Sequence, residues 1–285
     1  MSDQKIQTRV ENIVFYKSAQ SMIEVPDSSI QLIVTSPPYY NVKDYSKDGY
    51  QESIHSIHND EDVGYVKSIE EYIEKLLPIW KECERILKPN GKLCINVPLM
   101  PLLKKDSQTH YNRDIIDLQS TIQQSILKRT GLHLLDLYIW NRTNWSKHLM
   151  FGSYPYPRNF YAQNSCEFIT IYVKDGKPDN QVDERIKNES ILSKDEWIEF
   201  TKQIWNIPIP GKNDKAFGIH PAIMPEEIPR RLIKMFTFKN DIVLDPFAGS
   251  GTTLKVAKEL ERKYIGYELY EHYRQVIMNK LGETH

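Results

Sequence analysis

The stretch QLIVTSPPYY, Gln31 to Tyr40, runs from residues suited to a buried strand into a hydroxyl, two prolines and two tyrosines. A turn built from Ser36, Pro37, Pro38 and Tyr39 is stiff, because each proline fixes its φ. It offers carbonyl acceptors with few competing N–H donors. Tyr39 and Tyr40 add aromatic rings at the same strand end. An isolated Ser-Pro-Pro-Tyr is usually only a rigid loop, so its meaning depends on what else reaches the same place.

A second stretch with chemical content is DIVLDPFAGSGTTLKVAKEL, Asp241 to Leu260. Here a strand ends at Asp245, a Gly249-Ser250-Gly251 turn follows, and a helix begins near Thr252. Glycines let backbone approach a ligand closely, and the helix start offers free N–H groups. No lysine follows the glycines, so this is not a phosphate P-loop, and Leu254 takes the place of the third glycine of a dinucleotide fingerprint. The next strand, KYIGYE, ends in Glu268, placed to bind ribose hydroxyls. The expected ligand is a nucleoside lacking a polyphosphate.

These two turns need strands to present them. The runs 13–16, 30–35, 92–97, 133–140, 168–173, 241–245 and 263–268 read as strands, several continuously apolar, as in a parallel sheet buried on both faces. Helical periodicity covers 68–87, 115–128, 225–236 and 252–260. The alternation predicts an α/β fold with a doubly wound, mostly parallel sheet.

Two stretches break the alternation. Residues 41–67 are polar and aperiodic, and their position after the proline turn suits a flap beside a bound ligand. His55 and His58 fall there at no metal-site spacing, and no metal is expected. Residues 141–166 contain no Asp or Glu and interleave Arg142, Lys147, His148 and Arg158 with Trp145, Phe151, Tyr154, Tyr156, Phe160 and Tyr161. Cations among aromatics supply charge for phosphates and π-faces for bases; an irregular aromatic subdomain with solvated cations fits the pattern equally.

The whole chain sets bounds. Its 285 residues carry a formal charge of −1, so a polyanion must be met by a local patch. Cys83, Cys94 and Cys166 show no paired spacing, which argues for a reducing compartment and against a zinc site. No apolar run could span a bilayer and the first residues have no apolar signal region, so a cytoplasmic location is expected.

Together TSPPYY, HPAIMPEEIPRRLI (220–233) and DPFAGSGTT (245–253) resemble the amino-group DNA methyltransferases that use S-adenosylmethionine, in the motif order of the β class. IVFYKSAQSM, RILKPNGKLCINV and CEFITIYVK resemble further segments of that family, so the likeness covers most of the chain. It implies a Rossmann-like methyltransferase fold with a target-recognition insert. The catalytic domain would comprise 1–140 and 215–285; residues 141–214 would form the target-recognition region plus a returning strand.

The resemblance also implies roles. The Ser36 side chain and Pro37 carbonyl would accept hydrogen bonds from an exocyclic amino group, and Tyr39 would stack on a base flipped from duplex DNA. Asp245, Pro246, Phe247, Ala248, Gly249, Ser250, Gly251 and Thr252 would shape the S-adenosylmethionine pocket, with Glu268 on the ribose. His220 and Pro225 would lie over the methionine moiety. Ser18 stands where relatives often carry Asp, and Met224 where they often carry Lys. Arg142, Lys147, Arg158 and Tyr40 are the candidate DNA contacts. Ser36 in the first motif position points to cytosine N4, with adenine N6 as the alternative. A non-catalytic DNA-binding subunit, or transfer to RNA or protein, are the readings from other classes. A cognate restriction endonuclease is the implied functional partner, and a homodimer is an expectation that no interface in the sequence carries.

Overall fold

The computed structural model describes residues 10–40, 61–64, 66–102, 114–144, 152–178, 181–220 and 222–283. The expected flap therefore lies almost wholly outside the described residues, as do His55, His58, Trp145, Lys147, His148 and Phe151.

The strands are β1 (Ile13–Phe15), β2 (Ile30–Thr35), β3 (Leu87–Pro98), β4 (Met100–Leu102), β5 (Asp114–Ile116), β6 (Leu132–Arg142), β7 (Cys166–Lys174), β8 (Ile204–Ile207), β9 (Ile242–Asp245) and β10 (Lys263–Tyr267). The helices are α1 (Ile69–Ile86), α2 (Leu118–Arg129), α3 (Glu184–Glu189), α4 (Lys194–Phe200), α5 (Glu227–Phe236), α6 (Thr252–Glu259) and α7 (Arg274–Leu281). The main sheet has the order β1-β10-β9-β2-β3-β7-β6-β8 among the described residues, with β4 and β5 forming a separate ribbon. Only the pairings of β7, with β3 and with β6, are antiparallel in that sheet.

The sheet is covered on both faces, which is why its central strands are continuously apolar. Ile30 and Ile33 of β2 pack with α1 and α2 in one core, while Leu32 and Val34 pack with α5, α6 and α7 in the other. Helix α1 forms because Ser68 caps it by accepting the Glu71 N–H, and Tyr72, Leu76, Ile79, Trp80 and Cys83 fall on one face. Glu70 and Glu74 lie on its exposed side.

From β2 the chain crosses through α1 to β3 on one side; from β9 it crosses through α6 to β10 on the other. The boundary between β2 and β9 is thus the topological switch point, where open α/β sheets bind ligands at the carboxyl ends of their strands.

Residues 141–214 contribute more to the sheet than one returning strand. β6 runs on to Arg142, β7 inserts between β3 and β6, and β8 extends the edge in parallel with β6. The four-residue β8 is too short to give a periodic signal.

Candidate active site

β2 and β9 lie side by side, with Leu32 opposite Val243 and Ile33 opposite Leu244. Their carboxyl ends carry the proline turn and the glycine turn. The Thr35 hydroxyl donates to Asp245 Oδ1 at 2.7 Å, and the same oxygen accepts the Phe247 N–H at 3.0 Å. The Tyr72 hydroxyl donates to the Pro38 carbonyl at 2.8 Å and pins the proline turn.

A cavity of about 560 Å³ opens between the turns. Ser36, Pro38 and Tyr39 line one side; Asp245, Pro246, Phe247, Ala248, Gly249, Ser250, Thr252 and Glu268 line the other, joined by Ser18 and His220. Four candidates sit behind this surface. Pro37 is buried within the turn. Gly251, with φ +80°, starts α6 and packs on Ile277. Pro225 is buried at the entry to α5, where its carbonyl accepts the Ile228 N–H. Tyr40 packs edge-on against Tyr72, so its ring is part of the wall and not a DNA-facing surface.

Glu268 is buried at the tip of β10, accepting the Gly249 N–H at 2.8 Å and the Tyr270 N–H at 2.9 Å. Burial pushes its carboxyl up to about 7, against the pull of those two bonds. Burial likewise pushes Asp245 up to about 6, opposed by Thr35, the Phe247 N–H and Thr253. Gly249 holds φ +52°, and a Cβ there would lie 2.9 Å from His220 Nε2. His220 Nδ1 accepts the Ala222 N–H, and its ring packs 4.8 Å from that of Tyr273.

The far wall holds residues the sequence reading passed over. Glu167 is buried at the start of β7 and lines the cavity with Asn96 and Arg142. Its Oε2 accepts Asn96 Nδ2 at 2.6 Å and the Tyr39 hydroxyl at 3.2 Å; its Oε1 accepts Arg142 Nη1 at 3.2 Å. The Ser36 hydroxyl donates to the Tyr39 oxygen at 3.2 Å. Arg142 also donates to the carbonyls of Ser165 and Asn164. The expectation of a phosphate contact at Arg142 is therefore corrected: its donors turn inward to compensate a buried carboxylate. A solitary acid and a solitary amide inside the apolar strands CEFITIYVK and KLCINV were the available signal. Asp62, hydrogen-bonded by the Tyr270 hydroxyl, also lines the cavity and gave none.

Arg158 remains on the surface. It lies in a loop closed by the Gly152 and Phe160 bridge, with Tyr154, Tyr156 and Phe160 each more than two-thirds exposed. Cys83 and Cys94 are buried, and burial pushes both thiols up; no cysteine lines the cavity among the described residues.

The family model for DNA methylase matches residues 30–279. The chain belongs to the N6/N4 DNA methylase family. The Type II methyltransferase M.MjaI of Methanocaldococcus jannaschii is 30% identical to it over 283 residues, covering 94% of this chain and 90% of that protein. M.MthZI of Methanothermobacter thermautotrophicus is 29% identical, covering 95% and 76%. Among solved structures, the DNA modification methylase TTHA0409 of Thermus thermophilus in complex with S-adenosyl-L-methionine superposes with a TM-score of 0.72 at 27% identity, covering 94% and 92%. The PvuII DNA methyltransferase shares the fold, with a TM-score of 0.63 at 21% identity and coverage of 96% and 87%.

The family's cofactor is S-adenosylmethionine, and the cavity suits it. Gly249 keeps clear the space a side chain would contest with His220. The Glu268 carboxylate lines the cavity and has lone pairs beyond the two spent on backbone N–H groups, free to accept from ribose hydroxyls.

Proposed function

We propose that this chain methylates the N4 amino group of cytosine in duplex DNA, in a restriction–modification setting and in the cytoplasm. The observation that carries the reading is the shared cavity: the Ser36 turn and the Glu268-backed glycine turn meet across adjacent parallel strands. Ser36 in the first motif position favours cytosine N4 over adenine N6, because family members acting on adenine mostly carry Asp or Asn there. The Type II names of the relatives support the restriction–modification setting and a cognate endonuclease as functional partner.

S-adenosylmethionine, when bound, supplies an electrophilic methyl group on a sulfonium. The protein's work is to present a good nucleophile to it. An exocyclic amino nitrogen is poor because its lone pair is delocalised into the ring. Ser36 Oγ and the Pro37 carbonyl accept the two amino hydrogens, which favours a pyramidal nitrogen with its lone pair localised. Tyr39 stacks on the base, which leaves the duplex to enter the cavity. Thr35 and Asp245 hold the two turns in one register, so the nitrogen is placed in line. Arg158, with Tyr154, Tyr156 and Phe160 around it, faces the DNA, and Lys147 lies in the same acid-free segment. Residues 141–214 outside the sheet serve as the target-recognition region.

The test is methyl transfer to mixed genomic DNA with the product nucleosides resolved by mass spectrometry. N4-methylcytosine is the expected product. N6-methyladenine alone would keep the chemistry and overturn the base assignment; no transfer to DNA despite cofactor binding would overturn the substrate.

A further inference from the structure

The geometry points to Glu167 as the positioning residue that makes the base pocket accept hydrogen bonds without donating any. The inference rests on the proposed role of Ser36 as an acceptor for the amino group.

A serine hydroxyl and an asparagine amide can each face a ligand as donor or as acceptor. Either one turned the wrong way would offer a proton to a group that has two of its own. An ionised carboxylate can only accept. Glu167 is such a group, 5% exposed and compensated by Arg142 at 3.2 Å. Its Oε2 takes the Tyr39 hydroxyl proton, which leaves the Tyr39 oxygen to accept from Ser36. With its proton committed to Tyr39, Ser36 turns lone pairs to the cavity. Both O–H···O contacts are 3.2 Å, longer than the usual range, and are of the kind that tighten when substrate fills a site.

The same oxygen fixes the Asn96 amide. Nδ2 donates to Glu167 at 2.6 Å, and a reversed amide would set two oxygens against each other. Asn96 Oδ1 is thereby left as a buried acceptor on a residue that lines the cavity, with no partner among the described residues. Buried polar atoms are nearly always paired, so an orphan beside a binding cavity points to a donor supplied by the ligand. Glu167 thus turns two adjustable groups, one directly and one through Tyr39, toward an amino-bearing base. A keto group at the same place would meet only acceptors, and sites built this way reject such analogues strongly.

The test uses the full chain with its DNA substrate and compares Y39F, E167Q and the double variant in single-turnover methyl transfer. Thermal unfolding, cofactor Kd and DNA KM are measured alongside. Y39F keeps the stacking ring and removes only the relay. It is expected to lower kcat about tenfold or more with KM and cofactor Kd little changed. E167Q is expected to do at least as much, and the double variant no worse than E167Q, because one break already frees the Ser36 proton. Wild-type kcat in Y39F would overturn the inference even if E167Q failed to fold; so would losses in the double variant that multiply. S36A separates the two readings. If S36A keeps wild-type kcat, the acceptor role of Ser36 fails and this inference with it. If S36A is inactive while Y39F and E167Q retain wild-type kcat, only the role of Glu167 fails.

Discussion

The Thr35 hydroxyl reaches the Asp245 carboxylate at 2.7 Å across 210 residues of chain, and both groups are buried. The bond joins the last residue of β2 to the last residue of β9, and so joins the base-binding turn to the cofactor turn. Thr35→Val keeps the shape and removes the donor. It should cost about 1–3 kcal/mol in urea unfolding, the range for leaving a buried polar group short of a partner. Thr35→Ser keeps the hydroxyl and should recover most of that loss and the methyl-transfer rate. Equal stability of the valine variant and wild type would show that the bond does not tie the turns together.

Glu268 gives the site a pH signature. Its carboxyl is raised from 4.5 to about 7 by burial. Between those values the folded form binds more protons than the unfolded form, so this group's contribution to stability is full below 4.5 and lost as pH rises through 7. Glu268→Gln removes that dependence. The unbound variant should therefore gain on wild type steadily from pH 4.5 to 7 in thermal unfolding. Ribose hydroxyls donating to Glu268 favour its ionised form, so the cofactor should bind wild type more tightly as pH rises through 7. Calorimetry across that range checks it; the glutamine variant should show a flat, weaker affinity.

The two turns were legible because each is a run of adjacent residues with an unusual conformational need: fixed φ in Ser36 to Tyr39, positive φ at Gly249 and Gly251. Their strands were legible because burial on both faces makes them apolar throughout. The far wall was not. Glu167, Asn96 and Arg142 come from three strands, and only the antiparallel insertion of β7 between β3 and β6 brings them together. Arg142 was read as a surface cation because its neighbours in sequence are basic and aromatic, whereas its partner is 25 residues away. Asp62 follows a polar stretch with no periodicity, and its tie to Tyr270 spans most of the chain.

Gly249 combines a left-handed backbone with close contact to His220. Gly249→Ala should cost about 1–2 kcal/mol from the backbone conformation alone. It should also weaken cofactor binding by more than about tenfold, because the new methyl and the His220 ring contest one space. Adding His220→Ala relieves the crowding and leaves the strain. The double variant should then bind the cofactor better than Gly249→Ala combined with the separate His220→Ala effect would suggest. Strictly additive losses in binding free energy would mean that the contact with His220 does not matter.

Lys280 supports the glycine turn from behind. Its buried ammonium contacts Asp214 at 3.1 Å, Ser250 Oγ at 3.2 Å and Thr252 Oγ1 at 2.8 Å. Ser250 and Thr252 flank Gly251 and line the cavity, so the lysine fixes residues that the cofactor meets. Lys280→Met fills similar space without charge and leaves Asp214 without its cation. Breaking a buried pair in this way should cost about 3–5 kcal/mol. Replacing both partners, with Asp214→Asn added, should return part of the stability, because no uncompensated charge remains. It should not return cofactor affinity, since the bonds to Ser250 and Thr252 stay lost. Denaturant midpoints and cofactor calorimetry on the two variants separate these effects. Recovery of both stability and affinity together would show that Lys280 serves only to neutralise Asp214.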